Sequence, residues 1–325
     1  MAIIDDASSI FQVNIHSGTG QAQAITFDGN SDLSPDLIWV KNRNEGNSHV
    51  FIDTVRGVTK TLQLDNNTLE STGTSYITAF GSDGFTVGTA DNVNYNGSSL
   101  VSWNFKKQTG VFDIQTWTGT GSNRTIAHDL GVVPSLFIMK EKTGSVNDWT
   151  VYYGDETDAL QFNESNATSD SATRFNDTKP TSSVFSLGTG SVGNRNNSTY
   201  VGYFFGNSSV SRAGLYYGAG NADGAIVHTG FKPAFLIVKN TAASSGWFIY
   251  DNKRNPSNPV TEELAAQVGG TVADSYAVDF LSTGFKLRDA DADLNGGGTK
   301  YVYIAMAEQP FVTSTANGSI PCTAF

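Results

Sequence analysis

Apolar residues in this chain come in short bursts separated by clusters of Gly, Asn, Asp, Ser and Thr. The clearest bursts alternate. Val101, Trp103 and Phe105 fall on one side of an extended chain, as do Val201, Tyr203 and Phe205, then Val302, Ile304 and Met306, while the residues between them are mixed. A period of two puts each trio on one face of a β-strand. Continuous apolar runs follow three prolines, in Pro35 to Lys41 (PDLIWVK), Pro134 to Lys140 (PSLFIMK) and Pro233 to Lys239 (PAFLIVK). They are too short for helices and suit strands buried on both sides. The whole pattern predicts about seven short strands per hundred residues, as in an antiparallel sandwich. One stretch reads as helical, Thr261 to Gln267 (TEELAAQ).

The pattern repeats. Both the three prolines and the three lysines are spaced 99 and 99 residues apart, and Phe85, Phe185 and Phe285 are spaced 100 and 100. Each copy opens on a Gly-x-Gly turn (Gly18-Thr19-Gly20, Gly119-Thr120-Gly121, Gly218-Ala219-Gly220) and carries an aromatic strand at His49 to Asp53, Trp149 to Tyr153 and Trp247 to Asp251. A fixed internal period marks a repeat architecture. The expected fold is all-β, three tandem antiparallel β-sandwich units, jelly-roll-like, each of about 100 residues. The expected divisions are an N-terminal arm 1–10, repeats 11–109, 110–208 and 209–309, and a C-terminal tail 310–325. Short linkers imply units packed side by side, each with a small core of its own. A β-propeller is the structural alternative, but three blades are too few to close one.

Composition narrows the function. Charged residues make up 16% of the chain, the formal net charge is −11 and the sequence pI is near 4.7. That balance opposes phosphate backbones and anionic membranes, so neither nucleic acid binding nor membrane insertion is expected. Cys322 is the single cysteine, which rules out an intrachain disulfide. No basic and apolar leader opens the chain and no run reaches a membrane span, so synthesis in a cytoplasm is expected. Asn-x-Ser/Thr triplets at Asn96, Asn123, Asn166 and Asn207 then read as accidents of composition.

Candidate chemistry is sparse. Asp291, Asp293 and Asn295, followed by Gly296, match the first half of a calcium loop, but Val302 stands where a bidentate Glu belongs. An Asx-rich turn explains the same residues, and no other cofactor is implied. His128 and His228 stand at matching offsets with Phe27 in the first copy, which favours packing over ligation. Gly188 to Gly193 spells G-x-G-x-x-G without the long helix a dinucleotide needs. Glu262 and Glu263 could serve glycoside hydrolysis only at a set carboxyl separation, and a solvated face is the simpler reading. Trp117, Trp149, Trp247, Tyr216 and Tyr217 are of the type that stacks on sugars, although their recurrence points first to the core. No nucleophile elbow, phosphate loop or Cys/His metal pattern is present. The chain therefore reads as non-enzymatic.

Asp53-Thr54-Val55-Arg56-Gly57, Phe80 to Gly88, Asn94, Leu100 to Lys106, Gly230 to Lys239, Trp247 to Asp251, Arg254-Asn255-Pro256 and Asp279 to Lys286 together resemble a repeat of uncharacterised function. That repeat occurs in virion structural and tail-fibre-like proteins of tailed bacteriophages, notably marine and cyanobacterial ones. The resemblance runs from about Phe11 to Pro310 and is weakest in the second copy, where Tyr153 and Glu156 replace Asp53 and Arg56. It implies a virion protein, made in the bacterial cytoplasm and exposed on the particle, acting in host recognition or adhesion. Other virion proteins, further copies of the chain (a trimer among the options) and a host surface glycan are the implied partners. The alternative is a capsid decoration or connector protein anchored by its arm and tail through Ile3, Ile4, Ile10, Phe11 and Phe325, a reading helped by the absence of heptads and of a stalk. A glycan depolymerase is the remote third option.

Overall fold

Each repeat, here called a unit, builds one main antiparallel sheet from strands far apart in sequence. In the computed structural model, which describes residues 4–310, the main sheet of unit one runs in the order Phe11–Ser17, Ser99–Phe105, Leu37–Asn42, Val50–Asp53, Lys60–Gln63 and Ser71–Thr72. Unit two has the same order in Phe112–Thr118, Thr199–Phe205, Leu136–Glu141, Thr150–Tyr152, Asp158–Gln161 and Ser169–Asp170. Unit three keeps the first five places of that order, in Ser211–Tyr217, Lys300–Pro310, Phe231–Asn240, Trp247–Asp251 and Leu264–Ala265. Registers agree as well. Trp103 lies between Val13 and Trp39, Tyr203 between Ile114 and Ile138, and Ile304 between Ala213 and Ile237.

A smaller antiparallel sheet covers the outer face of each main sheet and completes a sandwich. It is formed by Gln23–Thr26, Gly84–Val87 and Ile77–Phe80 in unit one, and by Arg124–Ala127 and Val184–Leu187 in unit two. In unit three it is Ile226–His228, Gly284–Leu287 and Val278–Leu281. Between the layers of unit one lie Ile38, Val40, Ile52, Phe85 and Leu100, and between those of unit two Phe137, Met139, Phe185 and Phe204. The stretch expected to be helical is not. Leu264 and Ala265 form an edge strand, and Glu263 bridges to Ala273, because Leu264 and Ala266 are pulled into the core. Among the described residues the α-helices are single turns, at Asp91–Asn94, Ala172–Phe175 and Ser191–Asn194, and a 3-10 turn spans Ala7–Ser9. No helix among the described residues is long and apolar enough to cross a membrane.

The inner faces differ from the expectation of separate small cores. Leu37, Trp39, Phe51, Trp103 and Phe105 of unit one join Ile138, Trp149, Tyr203 and Phe205 of unit two and Phe235, Ile237, Trp247 and Ile304 of unit three in one continuous apolar cluster. Rings touch across the units, with Phe51 5.5 Å from Trp149, Trp39 6.2 Å from Phe235 and Phe162 4.6 Å from Trp247. An all-apolar void of about 20 Å³ remains at the meeting point.

The three seams carry equivalent bonds. The Glu70 amide donates to the Lys142 carbonyl at 3.2 Å, Thr168 to Thr241 at 3.0 Å, and Val272 to Arg43 at 3.1 Å. One to two, two to three and three to one, the series closes a ring. Indoles repeat the pattern: Trp149 Nε1 donates to the Gln63 carbonyl at 3.0 Å and Trp247 Nε1 to the Gln161 carbonyl at 2.9 Å. At the third seam the equivalent residue is His49, whose Nδ1 accepts from Trp39 Nε1 at 3.0 Å and whose ring lies beside Ala265 and Val268.

At the opposite end of the shared core, two seams hold buried ion pairs. Arg56 Nε contacts Asp53 at 2.5 Å and Tyr203 of unit two donates to the same carboxylate at 2.8 Å. Arg254 Nε contacts Asp251 at 2.6 Å and Trp103 Nε1 of unit one donates to it at 3.0 Å. The remaining guanidinium nitrogen of Arg254 finds no hydrogen bond, and the group lies 5.7 Å from the centre of the Trp103 ring. The corresponding residues at the second seam, Tyr153 and Ile304, are both in the apolar cluster. A buried pair is expensive to break because the orphaned charge stays desolvated. Asp251→Ala is expected to destabilise the fold by about 3–5 kcal/mol. Removal of Asp28 from its exposed pair with Lys253 is expected to cost less than about 1 kcal/mol. Denaturant unfolding of both variants against the parent checks the contrast.

Candidate functional site

The residues of the candidate calcium loop meet a structural duty first. Asn295 is fully buried, its Oδ1 accepts from the Ala219 amide at 2.7 Å, and its Nδ2 donates to the Asn221 and Asp289 carbonyls at 2.8 and 2.7 Å. Asn94 holds the Thr19 amide and the Gln21 and Gly88 carbonyls in the same way, and Asn194 holds the Thr120 amide and the Ser122 and Gly188 carbonyls. Each asparagine therefore clasps its unit's Gly-x-Gly turn. The first glycine is needed for space, since a Cβ on Gly18, Gly119 or Gly218 would sit 2.0, 2.2 or 2.4 Å from a carbonyl oxygen. The second, at Gly20, Gly121 and Gly220, has φ near +70° (69°, 72° and 70°). Sequence reasoning missed this clasp, although the Asn recurs beside the turn in all three units. Around it, Asp291 accepts from the Asp293 amide and Asp293 accepts from the Tyr276 hydroxyl. Among the described residues no group of three or more His, Cys, Asp or Glu is placed to hold a metal ion.

Glu262 and Glu263 part company. Glu262 bonds Arg43 of unit one at 2.7 Å and so closes the third seam, whereas Glu263 is buried against the Tyr250 hydroxyl and the Tyr276 amide. Burial raises the pKa of Glu263. The G-x-G-x-x-G run leads into one helical turn, Ser191–Asn194, and Gly190 bonds Thr173. His128 and His228 are not equivalent. His228 pairs with Gly284 as Thr26 pairs with Gly84, so His128 corresponds to Thr229, one residue on. His128 is buried and stacked on Phe204, while His228 is exposed. Of the anchoring residues, Ile10 and Phe11 are buried within the chain, Phe11 5.5 Å from Phe235, and Ile4 packs on the same cluster. Ile3 and Phe325 lie outside the described residues.

Three more ionisable groups recur in register. Lys41, Lys140 and Lys239 sit on the inner face at one end of the shared core, fully buried, and bond backbone carbonyls. Lys140 reaches Asn67 in unit one at 2.8 Å, and Lys239 reaches Ser165 in unit two at 3.2 Å. Lys41 bonds Asn42 and Glu45 of its own loop at 2.6 and 3.1 Å. Burial lowers each pKa to about 8, opposed by Asp65, by Asp148 and Glu141, and by Asp293 respectively. Burial holds the His49 imidazole well below its ordinary 6.5, assisted by the nearby Lys41 and Arg254 charges. These groups are spent on the ring.

Open surface is found on the outer rim. A groove of about 610 Å³ lies between the first strand and the small sheet of unit three, and one of about 650 Å³ lies at the equivalent place in unit two. Unit two lines it with Gln115, Thr116, Thr118, Arg124, Asn196 and Asn197. Unit three presents Leu215, Tyr217 and Ile226, which are 46%, 64% and 51% exposed, beside Arg212 and His228. Of the sugar-stacking candidates, Trp117, Trp149, Trp247 and Tyr216 are core residues and Tyr217 alone is open.

These features define an all-β protein of antiparallel sandwiches closed around a shared aromatic core, with its rim grooves as accessible sites. The chain belongs to the family described as Domain of unknown function (DUF7483), which matches residues 6–310. No curated protein matches it.

The clasp and the lysines each yield an expected outcome. Asn295→Ala is expected to destabilise the fold by about 1–3 kcal/mol, because it orphans a buried amide and two carbonyls. Asp291→Ala is expected to change stability by less than about 0.5 kcal/mol, and added calcium or chelator to leave the melting temperature unmoved. Thermal melts of the three samples read this. For pH, a lysine or histidine whose folded pKa is depressed binds fewer protons folded than unfolded, so stability rises with pH across the gap. Melting temperature is expected to fall as pH drops below 6.5, through His16, His49 and His128, and to rise from about 8 towards 10 through the three lysines. Lys140→Met is expected to flatten the alkaline rise.

Proposed function

We propose that this chain is a non-enzymatic structural protein of a bacteriophage particle, exposed on its surface and of the tail-fibre-like, host-contacting kind. The observation that carries the reading is the closed ring. Lys140, Lys239, the Asp–Arg pairs and Glu262 tie units together, while the grooves of units two and three stay open on the rim. A rigid scaffold with its chemistry turned inward and its grooves outward suits recognition and load-bearing. The polar groove of unit two, with its amides, hydroxyls and Arg124, fits a hydroxyl-rich ligand such as a host surface glycan. The depolymerase reading loses support because Glu262 and Glu263 bond different partners. The decoration reading is weakened by the burial of Ile10 and Phe11 inside the chain.

Two measurements on the phage that carries the protein test this. Antibody raised against the chain is expected to label intact particles in electron micrographs, and the purified chain is expected to bind host cells. Absence from purified particles overturns the virion reading. Labelled particles with no binding to cells overturn the host-contacting part and favour decoration.

A further inference from the structure

The outermost strand of a sheet presents unpaired amides and carbonyls, which proteins shield against other chains. In unit one Gln23, from the facing small sheet, donates to the carbonyl of Ser17 at 2.8 Å. In unit two Arg124 does the same to the carbonyl of Thr118, also at 2.8 Å. Registers place Gln23 opposite Val87 and Arg124 opposite Leu187, so the equivalent residue in unit three, opposite Leu287, is Ala225. Alanine has no group to reach the carbonyl of Tyr217. The guard is missing from unit three alone.

Further down this strand the edge is guarded. Asn207 accepts from the Ala213 amide at 2.7 Å and donates to its carbonyl at 3.2 Å, standing in for a neighbouring strand. Outward-facing groups recur every second residue, so the next two sets belong to Leu215 and Tyr217. Neither has an outward partner among the described residues. Their side chains and Ile226 are also exposed, where unit two has Thr116, Thr118 and Thr125 at the same places. The threonines show that the sandwich itself does not need apolar residues there.

We propose that this edge is a self-association surface, where the strand Ser211–Tyr217 pairs antiparallel with the same strand of a second molecule across a two-fold axis. The fit is set by the edge. Centring the pair on Tyr216 puts Leu215 of one molecule opposite Tyr217 of the other, twice, and joins the two open sets of backbone groups to each other. Each exposed leucine then gains a cross-strand aromatic neighbour. Pairing stops beside Asn207 on one side and at the Gly218 turn on the other. A patch that is its own complement is what an isologous dimer requires.

Sedimentation velocity of the full chain over a concentration series tests this. A reversible monomer–dimer equilibrium is expected. Ala225→Arg, which installs the guard of unit two, is expected to weaken it by about tenfold or more. Tyr217→Thr is expected to do likewise, and either variant can stand alone if the other melts early. Thr118→Ala, at the place in unit two that Tyr217 holds in unit three, serves as the control and is expected to leave the equilibrium unchanged. A chain that stays monomeric at every soluble concentration overturns the proposal. So does a dimer that persists in both variants, or association only with an added foreign peptide.

Discussion

Each main sheet here has two apolar faces, and one sandwich can bury only one of them. The small sheet takes the outer face, through Phe85 in unit one and Phe185 in unit two. The inner face, with Trp39, Trp103 and Phe105 in unit one, has nothing in its own unit to cover it. Left in water, so large an aromatic face would cost far more than a unit of this size can offset. Three such faces turned to one another solve the problem together, and ring closure follows from that need. The seam bonds from Glu70, Thr168 and Val272 then fix how the sheets meet.

Burial of that junction explains its polar residues. Lysines and Asp–Arg pairs sit at opposite ends of the apolar cluster, where strands leave it and backbone carbonyls are short of partners. Lys140 and Lys239 give donors to loops of the preceding unit, which a methionine of equal length could not do. Their low pKa values are the electrostatic cost of that placement. Desolvated charges of this kind add little net stability, because the cost of burying them offsets most of their attraction.

Strands and their faces were legible in the sequence because a period of two is local: the trio Val101, Trp103 and Phe105 needs no tertiary knowledge. What Trp103 faces was not legible, since its partners Asp251 and Phe235 lie more than a hundred residues away. The Asn94, Asn194 and Asn295 clasp was visible only as composition, and in unit three it was read as half of a cation site. Thr261 to Gln267 has helical propensity, yet pairing of Leu264 and Ala265 with the aromatic strand overrides it. The His128 and His228 match failed because a constant offset of 100 ignores two extra residues between the Gly218 turn and the strand Ile226–His228, which set that strand 101 residues from its counterpart in unit two. Both open grooves were invisible, because they arise where two sheet edges diverge.

Divergence between the units follows the seams. Asp53 is matched by Tyr203, a donor from unit two, and Asp251 by Trp103, a donor from unit one. Ile304 of unit three has no donor, and the residue facing that seam in unit two is Tyr153, whose hydroxyl donates to Asp158 of its own unit at 3.3 Å. The polar or apolar character of each site is thus decided by two units at once. A carboxylate at position 153 alone would be buried opposite Ile304 without a donor, and Ile304 exchanged for tyrosine alone would bury a hydroxyl without an acceptor. An Asp-x-x-Arg pair in the second unit would therefore lack the partner hydrogen bond that Tyr203 gives the first unit's pair and Trp103 the third's.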